Sequence, residues 1–281
     1  MICVENASVG YGRIRVLNQI TFQVAPGELV AVLGKNGCGK TTLLRLLTGR
    51  LRPQGGTVEL KGKAPYRMPP RLRGRTVALL PQRPPVVPKV CAAEFVLLGR
   101  YPHCPAFAPF RRQDHEAAWT ALEQVGAVDL ATRPVSTLSV GELSRVLLAQ
   151  VLAQDTPIVL LDEPAAHLDP AWAASVFAIL ENLRDQGKTI LVVAHDLNLA
   201  ALHCSRFLAL EDGRLVFDGL PHDFCTPKKL SQFYATPLVV VPHPVCAVPQ
   251  TLPLPCPAQP GPQPRTCPES LPSTAGLLKS S

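Results

Sequence analysis

The run Gly34-Lys35-Asn36-Gly37-Cys38-Gly39-Lys40-Thr41, set directly after the apolar Leu29-Val30-Ala31-Val32-Leu33, constrains this chain more than any other feature. A buried strand that breaks into glycines and passes into the helix-like Thr42–Leu47 is the setting of a phosphate-binding loop. Gly34, Gly37 and Gly39 have no Cβ, so the backbone can curl and aim successive N–H groups at phosphate oxygens. The helix start adds free N–H groups and a partial positive charge. Lys40 supplies a mobile full charge for the β- and γ-phosphates, and the Thr41 hydroxyl can ligate Mg²⁺.

The chain has 281 residues, enough for one large α/β domain or two modest ones. No stretch approaches the ~18–20 uninterrupted apolar residues of a membrane span. Met1-Ile2-Cys3-Val4-Glu5 lacks a basic region followed by an apolar stretch, so no secretory signal is expected and the chain is placed in the cytosol. Nine scattered cysteines, odd in number and without a CxxC pair, read as free thiols in a reducing compartment. Cys38 has two readings: a thiol whose pKa is lowered by Lys40 and nearby N–H groups, or a small residue filling a small space. The net charge of +7 is uneven. Arg50, Arg52, Lys61, Lys63, Arg67, Arg71, Arg73, Arg75 and Arg83 face the single acid Glu59. This is a solvated face or a surface for an anionic membrane; with Tyr66 as the one interleaved aromatic, no nucleic acid is expected.

Residues 1–82 read as strand-rich, with strands at Ile2–Val4, Ile20–Val24, Leu29–Leu33, Thr57–Leu60 and Thr76–Leu80. Helical spacing follows in 83–155, at Ala92–Leu98, Asp114–Val125 and Gly141–Leu152. Residues 156–235 alternate strands (Ile158–Leu161, Thr189–Val193, Phe207–Leu210) with helices (Trp172–Asp185, Leu197–His203), which implies a parallel sheet covered by helices. From Pro237 prolines recur every few residues, and 236–281 is expected to be an extended or disordered tail that ATP hydrolysis does not need.

A second site narrows the chemistry. Ile158–Leu161 runs into Asp162-Glu163-Pro164, two carboxylates at a strand's exit. Asp162 can hold Mg²⁺ through water while Glu163 orients and polarises the attacking water; neighbours on a strand point apart, so the two do not share one job. Ser139 is a natural N-cap for the helix that runs through Gly141-Glu142 into Arg145-Val146-Leu147, and the N–H groups behind it form an anion site.

Here the chain resembles the ATP-binding subunit of an ABC transporter. Leu138–Glu142 is similar to that family's signature motif, Ile158–Glu163 to its Walker B segment, and His167-Leu168-Asp169 to its D-loop. Val193-Ala194-His195-Asp196 resembles the H-loop, Pro81-Gln82 the Q-loop and Tyr11-Gly12 the A-loop, all in the family's order over residues 1–235. The resemblance implies a P-loop NTPase: an antiparallel β subdomain, a RecA-like parallel-sheet core and a helical subdomain at about 83–155. It also implies roles. Tyr11 stacks on adenine, and Gly34 to Thr42 (with Lys35, Asn36, Cys38 and Thr42) hold phosphates and metal. Gln82 reaches the Mg²⁺ or attacking water, and His195 contacts the γ-phosphate. Asp169 of the D-loop is a further nucleotide-binding residue. Ser139 and Gly141 complete the site of a second copy, so two ATP molecules lie in a head-to-tail homodimer.

Leu98-Gly99-Arg100-Tyr101-Pro102-His103 resembles the ATPases of iron-chelate, haem and vitamin B12 importers. That implies a dimeric polytopic permease, an indirect periplasmic substrate-binding protein and a place at the cytoplasmic face of the inner membrane. Two alternatives stay open: the ATPase of another ABC transporter (amino-acid, metal or export) or a soluble ABC ATPase. The chain departs from the family at Val140, where the signature has Gly, which puts a branched side chain beside backbone that approaches phosphate.

Overall fold

The computed structural model describes residues 1–254 apart from 83–88, 106–107 and 167. Its centre is a six-stranded sheet in the order β5-β6-β7-β3-β8-β9. These strands are β3 (Leu29–Gly34), β5 (Val77–Leu80), β6 (Ile158–Asp162), β7 (Thr189–Val193), β8 (Arg206–Glu211) and β9 (Arg214–Gly219). All neighbours are parallel except β8 and β9, which form a hairpin. Strands buried on both faces read as continuous apolar runs, and β3, β6 and β7 do. The two-residue period of β3 divides its side chains: Leu29, Ala31 and Leu33 enter one core, Val30 and Val32 the other.

The second of these cores lies beneath an antiparallel three-stranded sheet, order β2-β1-β4, of β1 (Ile2–Tyr11), β2 (Ile14–Val24) and β4 (Gly55–Leu60). Helix α1 (Lys40–Leu47) is clamped between the two sheets through Leu43, Leu44, Leu46 and Leu47, all fully buried. Full burial of each leucine contributes about 1.5–3 kcal/mol, which fixes the direction in which the helix start points. The first core takes in α3 (Ala92–Leu97), α4 (Arg112–Gln124) and α5 (Val140–Ala153), followed by α6 (Pro170–Asp185) and α7 (Leu197–His203). The architecture is the α/β P-loop NTPase arrangement implied by the sequence.

Local boundaries moved for identifiable reasons. Pro69-Pro70 opens a short helix, α2 (Pro70–Thr76), so β5 starts at Val77 rather than Thr76. Helix α3 ends at Leu97 and passes into a tight 3-10 turn over Leu98–His103 that contains Pro102. After α8 (Pro221–Phe224) and α9 (Pro227–Tyr234) the expectation of an extended or disordered tail is corrected for 238–253. Leu238–Pro242 (β10) and Pro249–Pro253 (β11) pair as an antiparallel hairpin. The apolar run Leu238-Val239-Val240-Val241 supplies a face that packs on the core, with Val240 and Val248 against it. Prolines sit at the strand ends, where a missing N–H costs least. The Asn198 side chain on α7 fastens β11, accepting from Thr251 N at 2.7 Å and donating to Thr251 O at 3.1 Å. Asn198→Ala strips these two bonds, and the one Oδ1 accepts from Thr251 Oγ1 at 2.7 Å, from a partly buried strand. Faster amide exchange across 249–253 is expected, with a loss of about 1–3 kcal/mol in hairpin stability and no change in ATP hydrolysis. The remaining tail, 255–281, lies outside the described residues.

Candidate active site

Strand β3 stops at Gly34 and α1 starts at Lys40, so the intervening loop lies at the carboxyl edge of the sheet. Gly39 is the helix N-cap at φ 112°, a conformation that favours glycine; a Cβ there would lie 2.5 Å from Leu17 Cδ2. The Lys40 side chain is 6 % exposed, and its Nζ donates to Gly34 O at 2.7 Å and Lys35 O at 3.0 Å. A cavity of about 630 Å³ opens over this loop. It is lined by Asn36, Gly37, Lys40 and Thr41 of the loop and by Gln82, Glu163 and His195. Segments far apart in sequence meet there because parallel strands place all their exits on one edge.

The two carboxylates have different surroundings. Asp162 is the last residue of β6 and buried; its Oδ2 accepts from Thr41 Oγ1 at 2.8 Å, and its Oδ1 is buried without a hydrogen-bond partner among the described residues. Burial pushes its carboxyl above the ordinary aspartate range, against the Thr41 hydrogen bond, and Glu163 adds to the rise. An orphaned buried carboxylate oxygen beside a threonine hydroxyl is a hard-oxygen donor set, and it fits Mg²⁺.

Glu163 leaves the strand at φ 57°, the left-handed region, unusual for a residue with a side chain. That turn aims its carboxylate away from Asp162 and between two donors. Gln82 Nε2 donates to Oε2 at 2.7 Å, and His195 Nε2 lies 2.5 Å from Oε1. A carboxylate only accepts, so Nε2 carries the imidazole proton in this pair. The two adjacent carboxylates therefore meet different partners, Asp162 the Thr41 hydroxyl and Glu163 the Gln82 amide and His195 ring.

Other expected residues lie apart from this cavity. Tyr11 is 42 % exposed with its hydroxyl accepting from Arg45 Nη1 at 2.8 Å, and Val16 of β2, not Tyr11, lines the cavity. Val16 carried no sequence signal beyond its place in an alternating strand. Lys35 reaches Glu211 at 3.7 Å. Of the two readings of Cys38, the filler holds: it is buried, and a Cβ on Gly34 would lie 2.4 Å from its Sγ. Burial pushes the thiol up in pKa despite Lys40, so it is not an activated thiolate.

Ser139 caps α5, accepting from Glu142 N at 3.3 Å, while the Glu142 carboxylate accepts from Ser139 N at 2.8 Å. Arg133 pairs with Glu142 at 2.5 Å. Ser139 and Gly141 are not on the walls of the 630 Å³ cavity. Asp169 caps α6, accepting from Trp172 N at 2.9 Å; its neighbour His167 is outside the described residues.

The segment 98–103 is largely a packing device. Gly99 faces Gln150 O so closely that a Cβ would lie 2.4 Å from it. Arg100 pairs with the buried Asp114 at 3.1 Å and donates to Ala153 O, and His103 Nε2 meets Gln154 O at 2.8 Å. Burial raises the Asp114 carboxyl, but the Arg111 N–H and the Arg100 guanidinium outweigh it and hold the pKa low. Leu98 and Tyr101 are left exposed, Tyr101 at 65 %.

Comparison with known proteins agrees with this geometry. The family described as ABC transporter matches residues 17–166. The ferric enterobactin transport ATP-binding protein FepC of Escherichia coli is 36 % identical over 251 residues, 89 % of this chain and 93 % of that protein. The hemin import ATP-binding protein HmuV of Nocardia farcinica is 40 % identical over 240 residues, 85 % and 83 % of the two chains. A metal-chelate type ABC transporter solved in an inward-facing conformation is similar over 90 % of this chain and 96 % of its own, at TM-score 0.76 and 28 % identity. A dimeric ATP-binding cassette bound to ADP and Pi covers 79 % of this chain and 99 % of its own, at TM-score 0.71 and 25 % identity. This chain belongs to the ABC transporter family, as an ATP-binding subunit that hydrolyses ATP.

Proposed function

We propose that the chain powers a membrane importer for iron-siderophore, haem or cobalamin. The observation that carries the reading is the Gln82–Glu163–His195 cluster lining one cavity with the Lys40 loop, in a chain similar to a ferric enterobactin transport and a hemin import ATP-binding protein. The loop from Gly34 to Thr42 cradles the phosphates of ATP, and Lys40 exchanges its two carbonyl partners for phosphate oxygens. Glu163 positions the attacking water and takes its proton; Gln82 and His195 fix the carboxylate's rotamer, and His195 faces the γ-phosphate. Thr41, Asp162 and Gln82 are the residues that would hold Mg²⁺, which when bound neutralises phosphate charge. Tyr11 stands to stack on adenine once Arg45 releases it.

Ser139, Gly141 and Asp169 lie off this cavity and serve the partner's ATP in a head-to-tail homodimer, so a lone chain hydrolyses slowly. The dimer works beneath a dimeric permease fed by a periplasmic binding protein. The 83–155 segment carries the coupling, with Leu98 and Tyr101 exposed toward the permease. Among the described residues no helix is long and apolar enough to cross a membrane, which suits a subunit held peripherally at the cytoplasmic face. The ATPase unit is 1–235, with 236–281 as an appendage.

The test is uptake of ferric siderophore, haem and cobalamin in cells whose own copy is replaced by Glu163→Gln. Uptake of one of the three is expected to fall to background; unimpaired uptake of all three sinks the assignment. Val140 opens α5 with its side chain 71 % exposed, where it stands between helix N–H groups and an incoming phosphate. Val140→Gly is expected to raise the ATPase rate of the assembled transporter about 3- to 10-fold, corresponding to roughly 1 kcal/mol. Equal rates at matched assembly would refute that role.

A further inference from the structure

The formal charge of the chain is concentrated in one place. Of 28 basic and 21 acidic residues, eight basic and one acidic fall between Arg50 and Arg75, which leaves 20 of each elsewhere. The entire net +7 therefore sits on that segment. Arg50, Arg52, Lys61, Lys63 and Arg67 are exposed, and Arg71 and Arg73 are half-buried on α2. Among the described residues none of these seven side chains has a salt-bridge partner. Arg75 alone is committed, donating to Pro102 O at 2.8 Å and His103 O at 3.3 Å.

The fold brings Arg52 and Arg67 of this run together. Gly49 lies against the backbone of Pro65 and Tyr66, which brings the Arg50–Arg52 turn after α1 beside Tyr66-Arg67. The guanidinium carbons of Arg52 and Arg67 lie 5.6 and 5.5 Å from the centroid of the same Tyr66 ring. Arg71 and Arg73 follow on α2, whose exposed Leu72 adds an apolar point. Like charges held together without acids repel, unless an anionic phase lies against them.

We propose that this face of β4, the Pro65–Arg67 turn and α2 rests on the anionic phospholipid surface of the membrane that carries the permease. Two observations favour lipid over nucleic acid. Tyr66, the one aromatic of the run, has two guanidinium groups within 5.6 Å of its ring centroid, so a stacking base would have to displace them. The cations are spread over an open surface, which matches a plane of headgroups better than one bound ligand. The orientation rests on the reading of the chain as a transporter subunit; the lipid contact itself is measured on the purified full-length chain.

The experiment is vesicle flotation with phosphatidylcholine alone and with added phosphatidylglycerol. The wild-type chain is expected to float only with the anionic vesicles and to be released as salt approaches about 1 M, where the Debye length shrinks to about 3 Å. The quadruple variant Arg52→Gln, Arg67→Gln, Arg71→Gln, Arg73→Gln is expected to bind about 100-fold or more weakly while its ATPase activity in solution is unchanged. Lysine at the same four positions should restore binding, since charge and not shape is read. Equal binding to neutral vesicles, or undiminished binding of the glutamine variant, overturns the proposal. So does displacement from vesicles by inorganic phosphate at matched ionic strength, which reports a discrete phosphate site, or by an RNA duplex at equal phosphate concentration. None of these readouts depends on uptake, so failure of the importer assignment and failure of the lipid contact are separately visible.

Discussion

Glu163→Gln is expected to bind ATP with little change and to hydrolyse it at least about 100-fold more slowly, the usual worth of a positioned general base. The substitution is well isolated by the local geometry. Glutamine has the same length, so the side chain can still fill the gap between Gln82 and His195. One amide oxygen replaces two accepting oxygens, but Gln82 can turn its own amide and His195 can change tautomer, so neither neighbour is left facing a like group. The left-handed turn at residue 163 is a backbone property that the variant keeps. What disappears is the capacity to take a proton from water. Nucleotide should then stay bound, and chains should accumulate as an ATP-loaded dimer on size exclusion. Single-turnover hydrolysis and retained radiolabelled ATP measure both consequences. A variant that turns over at a tenth of the native rate or faster would mean that another group accepts the proton, and Glu163 would be reduced to a positioning residue for His195.

The sequence exposed this site because its parts depend on backbone chemistry that leaves fixed residue types. Gly34, Gly37 and Gly39 had to be glycine for the loop to curl, and the apolar β3 and β6 had to precede it and the Asp162-Glu163 pair because buried parallel strands tolerate nothing else. Ser139 announced a helix start by the same logic, through the capping box it forms with Glu142. Three features stayed hidden, each decided by tertiary contact. Val16 lines the cavity only because β2 passes over the loop, a fact set by the packing of Leu17 against Gly39. The division of Asp162 from Glu163 was expected from strand alternation, yet it is the φ of 57° after the strand that delivers it. The hairpin of β10 and β11 was masked by proline content. Composition suggested a chain without a core of its own, and the core it uses is that of α7, reached through Asn198.

Lys40→Met is expected to weaken ATP binding by about 100-fold or more, the loss of one full charge and its charge-assisted hydrogen bonds to phosphate. Methionine matches the lysine stem in length and lack of branching, so the packing of α1 between the two sheets should survive. The native side chain donates to Gly34 O and Lys35 O. Removing it leaves two carbonyls at the edge of a roomy cavity, where water can reach them, so the ligand-free protein should lose no more than about 1–2 kcal/mol. Thermal unfolding separates the two effects. A ligand that binds only the folded state adds RT ln(1 + [L]/Kd), about 2.7 kcal/mol at 100 times Kd, so ATP should raise the melting temperature of the native chain by several degrees. For Lys40→Met that increment should vanish at the same ATP concentration while the ligand-free curve moves little. If the increment persists, Lys40 keeps its carbonyl partners in the nucleotide complex, and the phosphates are held by the backbone N–H groups and the helix start alone.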